Sequence, residues 1–408
     1  MSSATSAPSP MASLLAAVAE ARAQGRRSRR PPEVPPGWER EFRDTFVPLS
    51  REQLQHLLLT EFHPSGSSRA AFLAFASRLD QALHPRYHRL HLHLQALYGP
   101  IDPDRDTGDP GVPGGSPGGG RRERRVVATL ARLLAEANFQ RLPEAAIAFA
   151  LLVQHPLDEV QVSVKLEEYE EIQFWALGQR VGPLPDAPPP PRRWPYSRPP
   201  PAPHRRYFRR VVVVARPRGA GLELAAFREV PLEALELLLG RGRVRTPGLT
   251  RARLHLGLAA WGIFLFLNLG LGLMADLKVG ATGLLLGLGA VVAFRGAKAF
   301  ARRREAAALE LARSRYRRGT AQHGELVAAL TRRAQDEATK EALLAHTFLP
   351  RCHGAQAEAR LQAEVEAWLR RRLGLPLAFP ARRALRRLRG LGGAGTPDPG
   401  GRRAAGGQ

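Results

Sequence analysis

Cysteine is almost missing from this chain. Cys352 stands alone in 408 residues, which excludes an intramolecular disulfide and any Cys-rich metal centre. A disulfide-stapled secreted domain is excluded with it. Lysine is nearly as scarce. Lys165, Lys278, Lys298 and Lys340 are the four, although Lys and Arg together number 61. Basicity is therefore an arginine property, and the formal net charge is +24. That balance favours anionic partners, lipid or nucleic acid. The arginines are spread along the chain without an aromatic-rich recognition motif, so nucleic acid is the weaker expectation.

Catalytic signatures are also lacking. No G-x-S-x-G, P-loop or dinucleotide-binding fingerprint occurs. Cys352 and His353 are neighbours, a spacing that does not bring thiol and imidazole into nucleophile–base geometry. His84, His88, His91 and His93 can share a helix, but no carboxylate or cysteine joins them at ligand spacing. Asp102, Asp104 and Asp106 are spaced like the start of an EF-hand loop. Thr107 then replaces the required glycine, and Pro113 stands where the bidentate glutamate belongs. Glu167, Glu168, Glu170 and Glu171 read as a solvated hairpin tip. No catalytic residue, cofactor or metal is expected, and the chain reads as non-enzymatic.

Charge is missing from one long stretch. Between positions 254 and 294 the only charged side chains are Asp276 and Lys278. Two apolar segments result, one bounded by Leu256 and Ala275, the other by Val279 and Phe294. The first would cover about 30 Å as a helix, the thickness of a bilayer core. The second is shorter, and Lys278 and Arg295 can snorkel to extend it. The expectation is a transmembrane helical hairpin. Gly283 and Gly287 form a G-x-x-x-G suited to close packing of the spans, and Asn268 can hydrogen-bond across the pair. Arg251 and Arg253 flank one side, and Arg295, Lys298 and Arg302 the other. These five are the candidate anionic-lipid contacts. They also place both long arms in the positive-inside compartment.

Elsewhere the chain alternates between ordered patterns and linkers. Gly and Pro number 39 and 35, many of them in runs. Residues 1–36 read as disordered or as a mitochondrial targeting segment, with a basic helix presenting Leu14, Leu15 and Val18 on one side. Residues 37–182 read as helical with a β-hairpin, and Ser50 and Gln53 form a capping box. Pro85 separates two expected helices. The stretches 160–166 and 171–179 read as the hairpin. Residues 183–204 are a Pro-rich loop. Residues 205–250 carry strands, including "RRVVVVAR" and "LELAAFREV", and a short helix near 232–239. The hairpin at 254–295 follows, then a helical region at 296–389 and a Gly-rich tail at 390–408. The fold class expected is an α+β membrane protein, mostly helical, with a small antiparallel sheet before the spans.

Several segments act together as a fingerprint: "REQLQHLLLTEFH", "DEVQVSVKLEEYEEIQFWALGQRVG", "RRYFRRVVVVAR", "DLKV" and "RAQDEATKEALLAHTFL". In combination they resemble the transmembrane protein 143 family, over about positions 38 to 388. The resemblance implies a mitochondrial, multi-pass membrane protein of unknown molecular function, and no catalytic residues come with it. The resulting expectation is a protein- or lipid-binding module anchored in the mitochondrial inner membrane with both termini in the matrix. Its partners would be the lipid bilayer, anionic lipid and unidentified proteins. Two alternatives are a membrane-bound enzyme acting on lipid through carboxylates near Glu167 or Asp102, and a membrane-tethered nucleic-acid binder.

Overall fold

A long valine run organises the molecule. Val211, Val212, Val213 and Val214 are all buried, and strand geometry sends alternate side chains to opposite faces. Both faces of this strand are therefore covered. The computed structural model describes residues 10–27, 44–104, 119–152, 161–185, 205–240, 243–245, 315–352 and 356–392, with isolated positions between 262 and 313.

The run lies in β4 (Arg205–Pro217), which pairs antiparallel with β3 (Tyr169–Gly182) and β5 (Glu223–Pro231). β1 (Gln140–Arg141) adds to the β3 edge and β7 (Gly319–Gln322) to the β5 edge, giving the order β1-β3-β4-β5-β7. Trp175, Leu177, Val212, Val214, Leu224 and Ala226 join one core. Phe174, Ala176, Val211, Val213, Phe227 and Val230 join a second core on the other face.

The second core is closed by α1 (Pro10–Arg27), α5 (Glu144–Leu152) and a 3-10 helix, Leu232–Leu238. Leu14 and Val18 of α1 are buried in it, so this face of the N-terminal helix packs on protein. The first core lies under a helical layer. It comprises α2 (Arg51–Phe62), α3 (Gly66–Tyr98), α4 (Gly119–Glu136), α6 (His323–Phe348), α7 (Ala357–Leu373) and α8 (Ala381–Gly392). α6 is the axis of that layer and touches α2, α3, α4, α7 and α8. Ala334, Ala338 and Ala342 repeat every four residues and are fully buried. This small-residue stripe lets the neighbouring helices come close.

The capping box is present: Ser50 Oγ accepts from Gln53 N at 3.2 Å, and Gln53 Oε1 accepts from Ser50 N at 2.9 Å. Pro85 is a different matter. The sequence divides helices there, yet α3 runs 33 residues through it. An interior proline costs about 3 kcal/mol. Phe72, Leu79, Leu83, Tyr87 and Leu94 on the same helix are buried, at roughly 1.5–3 kcal/mol each. Packing outweighs the local cost.

Strand pairing also departs from the sequence reading. β2 (Gln161–Ser163) does not form a hairpin with β3. It pairs antiparallel with β6 (Arg243–Arg245) in a separate two-stranded sheet. A 14-residue strand with two apolar faces needs a partner of similar length, and β4 is that partner. The main sheet is not confined to the chain before position 254 either, since β7 completes it from far downstream.

The membrane expectation is corrected. No helix among the described residues is long and apolar enough to cross a membrane. The physical reason is amphipathicity: α3, for example, buries one stripe and leaves Arg78, Arg86 and Arg89 exposed on another side. The two-span hairpin, and with it the multi-pass membrane protein, has no support in this fold. Leu256, Ala275, Val279, Phe294, Asn268, Gly283 and Gly287 lie outside the described residues, as do Arg251 and Arg253. Arg295, Lys298 and Arg302 are helical and exposed. The fold described is α+β, mostly helical with a five-stranded antiparallel sheet.

Candidate anion-binding cleft

Helical spacing gathers arginines at one corner of the helical layer. On α8, Arg386 and Arg387 follow Arg383 by three and four residues, and Gly390 follows them by four and three, so they gather on one side of the helix. Ala381, Ala384 and Leu385 of the same helix are buried, which fixes the direction of the arginine face. Opposite it stand Ala82, Leu83 and Arg86 of α3 and Ala135 and Glu136 of α4. Together they line a cleft of about 490 Å³.

The floor of the cleft is a buried ionic network. Glu341 of α6 is fully buried. Its Oε2 accepts from Arg383 Nε at 3.0 Å and from Arg387 Nη1. Its Oε1 accepts from Asn138 Nδ2 at 3.2 Å and from Arg383 Nη2. Arg383 also donates to Ala135 O at 2.7 Å and to Asn138 Oδ1. Asn138 follows α4 in the left-handed conformation, φ 66°, which asparagine tolerates better than most residues. That turn aims its amide into the network. Asn138 Nδ2 reaches Glu337 Oε2 as well, at 3.1 Å.

Glu337 extends the network towards the segment before α2. Lys340 Nζ donates to Glu337 Oε1 at 2.6 Å, to Val47 O at 2.8 Å and to Leu49 O at 3.2 Å. Each buried charge therefore has a counter-charge, the condition under which ions are tolerated in a core. Two arginines of the cleft are held from below before any ligand arrives.

The mouth is different. Glu136 Oε2 accepts from Tyr87 Oη at 2.5 Å, and Glu136 Oε1 accepts from Arg86 Nη2 at 3.2 Å. Arg387 Nη2 stands 3.8 Å from Glu136 Oε2. Burial pushes the Tyr87 phenol far above its ordinary value; Arg387 opposes this and the Glu136 carboxylate adds to it. Tyr87 thus keeps its proton and donates it. Arg386 is exposed, and among the described residues it forms no ion pair. Four guanidinium groups face two carboxylates, Glu136 and Glu341, so the cleft keeps an excess of two positive charges.

The residues that stood out in the sequence lie elsewhere. The rings of His84 and His88 stack on α3 with centroids 6.1 Å apart. No group of three His, Cys, Asp or Glu among the described residues is placed to hold a metal. Glu170 pairs with Arg216, and Glu171 accepts from Gln173 Nε2 at 2.7 Å, so this acidic run is tied into the sheet. Cys352 is buried, and burial raises its thiol pKa. Asp106 and His353 lie outside the described residues.

Asp104 has a role that its spacing does not announce. Its Oδ2 stands 3.5 Å from His323 Nε2, and His323 Nδ1 lies 2.7 Å from Tyr98 Oη. Tyr98 donates its one proton to Leu222 O at 3.0 Å, so it accepts from the histidine. His323 has φ 45°, at the step from β7 into α6. Tyr98 is buried, and this chain of contacts links the end of α3 and the residues after it to the start of α6.

Sequence inspection missed the cleft because its parts come from positions 82 to 390. One signal was available. Ala334, Ala338, Glu341, Ala342 and Ala345 fall on one helical stripe, and a glutamate on an apolar stripe requires a buried cation. No family model matches the chain, and no solved structure matches it.

Proposed function

We propose that this protein is a non-enzymatic binding module whose cleft between α3, α4 and α8 takes a small phosphoryl-type oxyanion. The observation that carries this reading is the contrast between the floor and the mouth. Glu341 fixes Arg383 and Arg387 from below, while Arg386 stands exposed beside them without a carboxylate. Arginine's planar fork suits bidentate recognition of phosphate oxygens. Preset guanidinium groups reduce the ordering cost of binding. The excess of positive charge favours an oxyanion.

Size points the same way. A cleft of about 490 Å³ falls in the range of small-molecule sites. Both carboxylates are engaged by guanidinium groups, which suits holding an anion rather than moving a proton. The overall charge of +24 would raise the encounter rate with anions.

A thermal-shift series on the full chain tests the reading. Inorganic phosphate at fixed ionic strength should raise the unfolding midpoint in a saturable way. Arg386→Glu should abolish the rise. Arg121→Glu with Arg122→Glu, exposed residues on α4, should retain it. Equal responses in all three proteins would mean that only general charge is being read, and the proposal would fall.

A further inference from the structure

Glu136 is an odd residue to find in a site for anions. It lines the cleft among arginines, and about a quarter of its side chain is exposed. Resting on the anion reading above, we propose that Glu136 makes the cleft select an oxyanion that carries its own proton. Inorganic phosphate, or a phosphomonoester in its singly ionised form, would be taken in preference to sulfate.

The argument is one of donors and acceptors. A carboxylate offers about four acceptor positions. Two accept hydrogen bonds from protein groups, Tyr87 Oη at 2.5 Å and Arg86 Nη2 at 3.2 Å, while Arg387 Nη2 stands 3.8 Å off as an ion-pair neighbour. Acceptor capacity is therefore left for a donor on a ligand. A bare sulfate beside Glu136 brings two anions together with no hydrogen between them, and they repel. A P–O–H group brings a donor, and the same approach becomes a charge-assisted hydrogen bond. Tyr87 cannot supply that proton, because it already donates to Glu136. The arginines attract both anions alike, so discrimination falls to the carboxylate.

Protonation chemistry separates the possible sources of the phosphoryl group. Inorganic phosphate retains a P–O–H near neutrality. A phosphomonoester loses its last acidic proton near pH ~6. Free phosphate should thus bind across neutral pH, and a monoester should bind more tightly as pH falls from about 7.5 to about 5.5.

Calorimetric titration of the full chain with inorganic phosphate, methyl phosphate and sulfate, at constant ionic strength, tests this. Phosphate should bind about tenfold or more tightly than sulfate, the worth of one charged hydrogen bond. Glu136→Gln supplies an amide that can donate as well as accept, so sulfate should gain and the preference should shrink towards unity. Tyr87→Phe frees a further acceptor on Glu136 and should keep the preference. Equal binding of phosphate and sulfate by the unaltered protein overturns the selectivity but leaves the anion reading standing. Binding of neither, by a chain with its native circular dichroism, overturns both. A preference unchanged in a folded Glu136→Gln protein removes Glu136 from the role. The comparison of anions on the unaltered protein does not depend on any variant folding.

Discussion

Arg383 and Glu341 meet at two points beneath the cleft: Nε lies 3.0 Å from Oε2, and Nη2 bonds Oε1. Such a fork fixes the plane of the guanidinium as well as its position. A buried pair of this kind adds little stability relative to apolar residues of the same shape. Breaking one side is costly, because the remaining charge is stranded.

Glu341→Ala should accordingly destabilise the protein by about 3–5 kcal/mol, measured by urea unfolding. Glu341 is fully buried and serves two arginines and Asn138. A loss under about 1 kcal/mol would show that water or relaxation compensates, and that the arginines are not held as described.

The same logic links α6 to the segment before α2. Lys340 Nζ donates to two backbone carbonyls and to Glu337. A double-mutant cycle of Lys340→Met and Glu337→Gln should return a coupling of roughly 1–3 kcal/mol. Strict additivity would place the two charges in separate surroundings.

Acid should weaken the protein through His346. Its ring stacks on Phe75 with centroids 3.7 Å apart. Burial lowers its pKa below the ordinary 6.5, and His63 and Arg78 add to the effect. The unfolded chain then binds the proton more readily than the folded one. The contribution of neutral His346 is fully present above pH 6.5 and is lost as pH falls below it. His346→Phe keeps an aromatic ring and removes the titration, so unfolding midpoints measured between about pH 5 and 7 should flatten. An unchanged slope would assign the acid sensitivity to other groups.

Leu14 and Leu15 test the place of α1. Leu14 is 2% exposed and Leu15 36%. Leu14→Ala should cost about 2–5 kcal/mol, and Leu15→Ala should fall within about 0.5 kcal/mol of the parent. Similar small effects for both would mean that α1 does not pack on α5 in solution.

What could be read from the chain depended on range. The Ser50 and Gln53 cap, the strand at Val211–Val214 and the helical content are local, and the residues themselves specify them. Partner choice was not local. The valine run needs covers on both faces, but nothing nearby says that β3 will be its neighbour or that β7 will close the far edge. Pro85 misled because its local cost is visible and the compensating burial of Leu79, Leu83 and Tyr87 is not. The apolar stretch at 254–294 drew attention by its lack of charge, and the described fold gives the membrane reading no spanning helix. The cleft was invisible for another reason: Arg86, Glu136 and Arg386 are ordinary surface residues until three helices bring them together.

The most direct test of the cleft is calorimetric titration of inorganic phosphate into three forms of the full chain at constant ionic strength. These are the unaltered protein, Arg386→Glu, and the Arg121→Glu, Arg122→Glu pair. The account predicts saturable one-site binding in the first and third and none in the second. Weak, unsaturable heat of equal size in all three would contradict it.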